Sequence, residues 1–426
     1  MALRSPTPFH NFWGTANPTT NVAWTSGTLP NEGAVPSYQN GNLEAGDFAY
    51  VAGDSTFYVC TNPGVAQANA VWVQITTGAA SIDRFAPRYI VGGSSDSATA
   101  YDLDGFTYIP SNGNPTWQTD LQNALNAVPG DVHFRPGTFA LDGPITMPDP
   151  VTVGRCSVRG AGRSTIFTTT ASLTNVNGKL GAFVLRAGST LSDCAIAADA
   201  PANSTDATTL GVVYVYAGGS PVPGTAHVEN VYATYSLDPA SSVTACQSIY
   251  RVGPLMTGEF SDCENLLTGT LGIGASSLGG WLTAAGTNSL ALSSCAHSGG
   301  DDAVVHLGYR LNLSQFQSVL TNVNGVFVNA DSLVNIVNST FEAAAGSCLS
   351  VTNPDCQLGL SNSVLDTADL TAASFASIGK GRVVGNDIRG TVAVDTTGAT
   401  GHAIGFNVLI GTVTTETTDE VAHNIA

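Results

Sequence analysis

Charge is scarce in this sequence. Only 11% of its 426 residues are Asp, Glu, Lys or Arg, and lysine occurs twice, at Lys179 and Lys380. The 14 basic residues face 32 acids, a formal net charge of −18. Nucleic acid needs a basic groove, so it is excluded as a partner, and an anionic membrane surface is disfavoured on the same ground. No run of 18 apolar residues occurs, so no membrane insertion is expected. Eight cysteines are too few for a disulfide scaffold of this length, and none forms a Cys-x-x-Cys pair. The seven histidines are scattered without ligand spacing, so neither a metal nor a cofactor is expected. The opening MALRSPTPFHNFWG has no apolar segment of the export-signal kind, which leads us to expect reduced thiols and a protein made in the cytoplasm.

What is abundant is Gly, Ala, Ser, Thr, Asn and Val, with 43% hydrophobic residues overall. That mixture supplies a core and many tight turns, and it points to an all-β chain. Residues 1–40, rich in Pro, Asn, Thr and Gly, read as an extended arm that could anchor the protein to a partner. Residues 41–78 read as a small β module: FAYVAGDSTFYVC is a hairpin, and VWVQI is a third strand. Residues 79–115 read as a linker. At 116–129 a helix is expected, capped by Thr116, with Trp117, Leu121, Leu125 and Val128 on one face and Pro129-Gly130 at its end. Such a helix would cover the open first coil of a solenoid occupying 130–426.

The stretch DVHFRPGTFALDGPITMPDPVTV, followed by SVRGAGRSTIF, resembles the opening coils of pectin-lyase-like β-helices through Pro136, Gly137, Thr138, Phe139, Gly160 and Gly162. That superfamily includes pectate lyases, polygalacturonases and phage tailspikes. The resemblance implies a right-handed single-stranded parallel β-helix and no particular activity. The 41–78 module resembles small sugar-binding and phage-fibre modules, with Tyr50, Tyr58 and Trp72 as its aromatics.

A five-residue pattern, apolar-x-[Asp/Asn/Ser]-x-variable, recurs through the rest of the chain. Its third position falls at Asp193, Asn230, Asp262, Ser294, Ser318, Ser339, Asn362, Asn386 and Asn407, at intervals of 37, 32, 32, 24, 21, 23, 24 and 21. One β-helix coil takes about this many residues, each stacked roughly 4.8 Å on the last. Cys194, Cys263 and Cys295 fill the fourth position, where other copies carry Val231, Val319 and Val408, so a buried inward column is expected.

Candidate chemistry is thinner. Asp301-Asp302 in SGGDDAVVHLG resembles the Gly-Asp-Asp stretch of polygalacturonases, where paired acids protonate the leaving group and activate water. The Asn-Thr-Asp element of that family is missing, and Gly401-His402 falls about four coils away, so turn chemistry is the competing reading. Arg155, Arg159 and Arg163 could bind an acidic sugar or pair with Asp142 and Asp149. The long early intervals place extra residues in segments such as 199–210, 217–225, 235–244 and 271–280. Beside them stand Tyr214, Tyr216, Tyr232, Tyr235 and Trp281 as possible sugar-stacking surfaces.

These features fit a bacteriophage spike or fibre exposed on the virion. It would be held to other virion proteins by its N-terminal region and would recognise a host surface polysaccharide. A homotrimer is expected, as is usual for phage β-helix spikes. A depolymerase of the same architecture and a non-binding decoration protein are the alternatives.

Overall fold

In the computed structural model the chain divides into two units, residues 1–86 and 87–426. The residues described are 116–148, 156–169, 182–199, 211–236, 247–268, 278–415 and 419–425, with short interruptions, and before them seven strands between Asn11 and Ile109. Within the first unit four strands form one sheet in the order Asn11–Gly14, Phe48–Val51, Thr56–Asn62 and Val71–Ile75. The expected hairpin and third strand pair antiparallel. Asn11–Gly14 adds to the sheet in parallel, which corrects the reading of residues 1–40 as an arm outside the module. The aromatic pair Phe12-Trp13 suits a strand but is too short to show a period. The rest of that segment lies outside the described residues.

The second unit is a right-handed parallel β-helix of three sheets, the hand being that of parallel crossovers generally. One coil comprises Ser289–Ser293, Ala296–Ser298 and Asp302–His306. The next comprises Arg310–Ser314, Gln317–Thr321 and Asn324–Val328, and each strand pairs in parallel with its equivalent. We call these positions the first, second and third sheets.

Between the first and second sheets the chain turns on a single residue in left-handed conformation. Asp193, Asn230, Asp262, Ser294 and Asn362 occupy it with φ between 50° and 53°. Asn, Asp and Ser tolerate this region because their short polar side chains bond locally. The sequence pattern found these five. In four later coils the turn residue is Gln315, Asn338, Gly385 or Phe406, so Ser339, Asn386 and Asn407 stand one place further on, and Ser318 belongs to the second sheet. The late coils nonetheless keep a period near 21 to 24 residues, the separations at which Ser294 meets Gln315 and Ser339 meets Ser363.

The residue after the turn points inward, and its column changes character along the axis. Early coils place Cys194, Val231, Cys263, Cys295 and Phe316 there, all buried. Val319 and Val408, expected in this column, instead face outward, and Val408 is 37% exposed. Late coils place Ser339, Ser363, Asn386 and Asn407 there, and they form a ladder. The Ser339 hydroxyl accepts from Phe316 N, that of Ser363 from Ser339 N, Asn386 Oδ1 from Ser363 N and Asn407 Oδ1 from Asn386 N, at 2.9–3.2 Å. A tight turn leaves a backbone N–H pointing at the next coil, and a buried donor needs an acceptor.

All six described cysteines are buried and free of disulfides. Burial pushes the Cys156, Cys348 and Cys356 thiols up to about 12 and Cys194 higher still. Cys194→Val should therefore cost under about 1.5 kcal/mol, as a near-isosteric apolar exchange. Iodoacetamide should label the native protein far more slowly than the unfolded one, and fast native labelling of Cys194 would contradict the assignment.

Helix Thr116–Ala127 covers the first coil. Leu121 and Leu125 are fully buried, while Val128 is 41% exposed because it lies past the last turn; the side chain of Trp117 lies outside the described residues. The Gln122 amide behaves as a peptide group, donating to Thr146 O at 2.7 Å and accepting from Thr146 N at 2.8 Å, which satisfies an edge strand. The expected linker at 79–115 is corrected: it contains strands Tyr89–Gly92, Thr99–Asp102 and Thr107–Ile109. The first of them pairs in parallel with Val132–Phe134. Tyr89 is buried, and its hydroxyl donates to the helix carbonyls of Ala124 and Val128. This strand precedes the helix in sequence but extends the solenoid by one layer, an order that local patterning does not reveal.

Candidate functional site

Two of the expected surface aromatics are core residues. Trp281 is fully buried and stacks on Tyr250 at 5.4 Å between ring centroids. Tyr235, 5% exposed, also belongs to the core. Both fall on inward positions of their strands, so neither can stack on a sugar. Tyr232 does face outward from the second sheet, but Arg163 lies over its ring at 4.4 Å while pairing with Glu264. Arg159 pairs with Asp193 at 2.9 Å. These two arginines thus tie coils together, Arg159 adjacent ones and Arg163 coils three apart, through acids other than those the sequence suggested. Arg155, Asp142 and Asp149 lie outside the described residues, as do 200–210, 219–221, 237–244 and 271–277 of the long early segments.

Asp301 and Asp302 do not form an exposed acid pair. Asp302 is 3% exposed and accepts from Asn324 Nδ2 at 2.8 Å, while the Asp301 carbonyl accepts from the backbone N–H groups of Val323 and Asn324. The pair fastens one coil to the next. Burial pushes the Asp302 carboxyl from its ordinary 3.8 up to about 6. Between those values the folded chain keeps a proton that the unfolded chain has released, so this group destabilises the fold increasingly as pH rises to about 6. His297 and His306, lowered by burial to about 4, act in the opposite sense, their stability contribution growing from pH 4 to 6.5. Asp302→Asn should thus stabilise by about 2–3 kcal/mol at pH 7 and by little at pH 4. Urea midpoints at the two pH values test this, and an equal shift at both would contradict it.

The surface feature that sequence reading missed is the outer face of the first sheet. Register alignment stacks Thr190, His227, Glu259, Ala291, Asn312, Asn335, Gly359 and Arg382 in one column. At one strand spacing per step this runs roughly 34 Å along the axis. Two shallow hollows of about 400 and 420 Å³ lie on it, and Asn312 lines both. The first is bounded by His227, Glu229 and Glu259, with Ala291 and serines on its floor. The second is bounded by Arg310, Arg382, Asn335 and Gln357 over Gly359. His227 Nδ1 and Glu259 Oε2 stand 3.1 Å apart, each side chain about half exposed. Amide, acid and guanidinium rims offer outward donors and acceptors, and Leu333, Leu358, Leu292 and Phe260 add apolar lining. The only signal in the sequence was the alternation of small polar residues along each strand, which marks any solvated sheet face.

On the outer face of the third sheet Tyr214 and Tyr216 do come together, stacked at 5.2 Å, and two arginines that sequence reading did not single out flank them. The Arg186 guanidinium lies 4.8 Å from the Tyr216 ring and that of Arg251 6.0 Å from Tyr214. Among the described residues no group of His, Cys, Asp and Glu could hold a metal ion, and no helix is long and apolar enough to cross a membrane.

No protein-family model matches the chain, and no curated protein matches it. Among solved structures, a mannuronan C-5 epimerase A-module of Azotobacter vinelandii is similar at TM-score 0.41 and 13% identity, covering 72% of this chain and 94% of that one. Tailspike protein 3 of bacteriophage CBA120 is similar at TM-score 0.32 and 12% identity, over 90% and 77%. The tailspike gp49 of Acinetobacter baumannii bacteriophage Fri1, a capsular polysaccharide depolymerase, is similar at 0.29 and 9%, over 90% and 72%. At these identities the likeness concerns the fold and transfers neither residues nor activity.

Proposed function

We propose that the protein is a virion spike or fibre of a bacteriophage. It attaches through its N-terminal region and holds a host surface polysaccharide along the outer face of the first sheet. The observation that carries this reading is the column from Thr190 to Arg382, which follows the stacking of the coils and carries two hollows with polar rims. An extended glycan chain needs a long shallow surface with many hydrogen-bonding groups, and stacked coils repeat such groups at each layer. Ala291→Trp would fill the trough floor from an outward position. Host-cell binding should fall sharply with the melting temperature unchanged. Undiminished binding would overturn the placement, and an unaltered protein that binds no host cells would favour a decoration role. Association as a homotrimer is part of the proposal, and a monomer mass by light scattering at micromolar concentration would count against it.

A second reading, depolymerase, is favoured by one observation: His227, Glu229 and Glu259 border the same hollow. Glycoside hydrolysis needs two carboxyls facing the scissile bond, and Glu229 and Glu259 stand on adjacent coils. Reducing ends released from host polysaccharide, and lost in Glu259→Gln, would establish it. Binding without release leaves the spike a binder only.

A further inference from the structure

The third sheet carries a second arrangement suited to a ligand. Val184, Tyr214 and Arg251 are register partners on successive coils, and their strands alternate with the inward core residues Phe183, Val213 and Tyr250. Tyr214 and Arg251 therefore lie on the face away from the core, where Tyr214 is itself covered at 7% exposure while Tyr216 and Arg251 are partly exposed. Arg186 and Tyr216 follow their strands at the matching end, where Tyr216 N donates to Leu185 O. The four side chains make one continuous stack in the order Arg186, Tyr216, Tyr214, Arg251, with the two tyrosine rings 21° from parallel. Arg186 is further tied by Nη1 to Tyr216 O at 3.4 Å. Gly253 leaves room for the Tyr214 hydroxyl, because a Cβ there would come within 3.1 Å of it.

Stacking on an aromatic face costs a guanidinium little of its hydrogen-bonding capacity, since the fork lies in the plane and points away from the ring. Such an arginine is pre-organised to meet a carboxylate with two parallel bonds. Among the described residues Arg251 has no carboxylate partner, and its Nε finds no acceptor. The chain is strongly acidic, with 14 basic residues in 426. Two of them nevertheless stand on coils two apart, roughly 10 Å along the axis. An acidic polymer repelled by the chain as a whole would find its attraction here.

We infer that the Arg186–Tyr216–Tyr214–Arg251 stack is a subsite for a carboxylate-bearing sugar, so that the recognised polysaccharide is an acidic one. Arg251 bonds the carboxylate, Tyr216 takes the sugar face with its exposed part, and the buried Tyr214 backs the stack. The inference rests on the glycan-binding reading but not on the first-sheet trough.

The probe is a printed array of acidic bacterial capsular polysaccharides, each beside its carboxyl-reduced form, which is the same chain without the charge. At least one acidic glycan should be retained and its reduced form bound about tenfold more weakly or worse, with affinity falling as salt is raised. Arg251→Gln should produce a similar loss on the native glycan. Arg251→Lys, which keeps the charge and loses the fork, should fall between, and Tyr216→Leu should weaken binding with the arginine intact. Equal binding of native and reduced forms overturns the acidic subsite while leaving glycan recognition standing. Unchanged binding by Arg251→Gln, with or without a lower melting temperature, makes the stack mere cladding of the sheet and also overturns it. Retention of no glycan overturns both readings.

Discussion

Asn386→Leu should lower the stability of the β-helix by about 2–6 kcal/mol. The Asn386 side chain is buried and makes three bonds: Oδ1 accepts from Ser363 N at 2.9 Å, and Nδ2 donates to Leu360 O at 3.1 Å and Asn407 Oδ1 at 3.0 Å. Leucine fills similar space but leaves Ser363 N–H and one acceptor position on Leu360 O without a partner. Each buried orphan costs about 1–3 kcal/mol, which is far more than the net gain of an ordinary hydrogen bond. Asn386→Ser should be milder, because Ser339 and Ser363 show that a hydroxyl can accept from the preceding turn. The order Asn, Ser, Leu in urea midpoint tests the ladder, and a leucine variant as stable as the parent would remove it as a source of stability.

Trp281→Ala should cost about 3–5 kcal/mol, the range for emptying a large aromatic site in a packed core. The indole has no exposure, and it meets Tyr250 face to face and Phe316 edge-on at 5.5 Å. His297 packs against it at 6.1 Å, and the next position back, Gly280, would bring a Cβ to 2.5 Å from that imidazole. The surrounding strands are fixed in a ladder on both sides and have little freedom to close the cavity. Trp281→Phe should cost much less, because the indole Nε1 has no hydrogen-bond partner among the described residues and phenylalanine removes that donor along with the lost volume. Host binding per folded molecule should be unchanged in both variants. Loss of binding with stability preserved would instead make Trp281 a sugar platform and reverse its assignment to the core.

Sequence reading went furthest where geometry constrains residue type. The left-handed turn admits few residues cheaply, so Asp193, Asn230, Asp262, Ser294 and Asn362 mark it by identity alone. It lost the register at Gln315 and Phe406, which occupy the same conformation at a cost no pattern anticipates. An odd shift, of three residues at Gln315 and of one at Phe406, then turned Val319 and Val408 from core into surface, since alternate residues of a strand face opposite ways. The same ambiguity misplaced Trp281 and Tyr235, aromatics that suit a core and a sugar platform equally well by composition. Their neighbours Tyr214 and Tyr216 lie on the opposite side of the strand instead, Tyr216 partly exposed and Tyr214 covered, and their arginine partners come from residues 30 and more away in sequence, which only coil stacking brings alongside. The first-sheet trough was illegible for another reason. Its floor includes Ala, Ser and Gly, which are common everywhere in this chain and gain meaning only from being stacked.

The period of the late coils also sets a timescale. Partners across coils lie 21 to 24 residues apart, a length that a ribosome adds in about one to five seconds. Closing a loop of that order takes about a microsecond. Each coil therefore has ample time to dock before the next emerges, on a template whose first layer is already covered by the helix at Thr116–Ala127. The nascent chain meets one open edge at a time, whereas a chain diluted from urea presents every coil at once, with many equivalent edges to choose among. Yield on refolding should consequently fall short of yield on synthesis, and most of the loss should be chains joined to one another out of step.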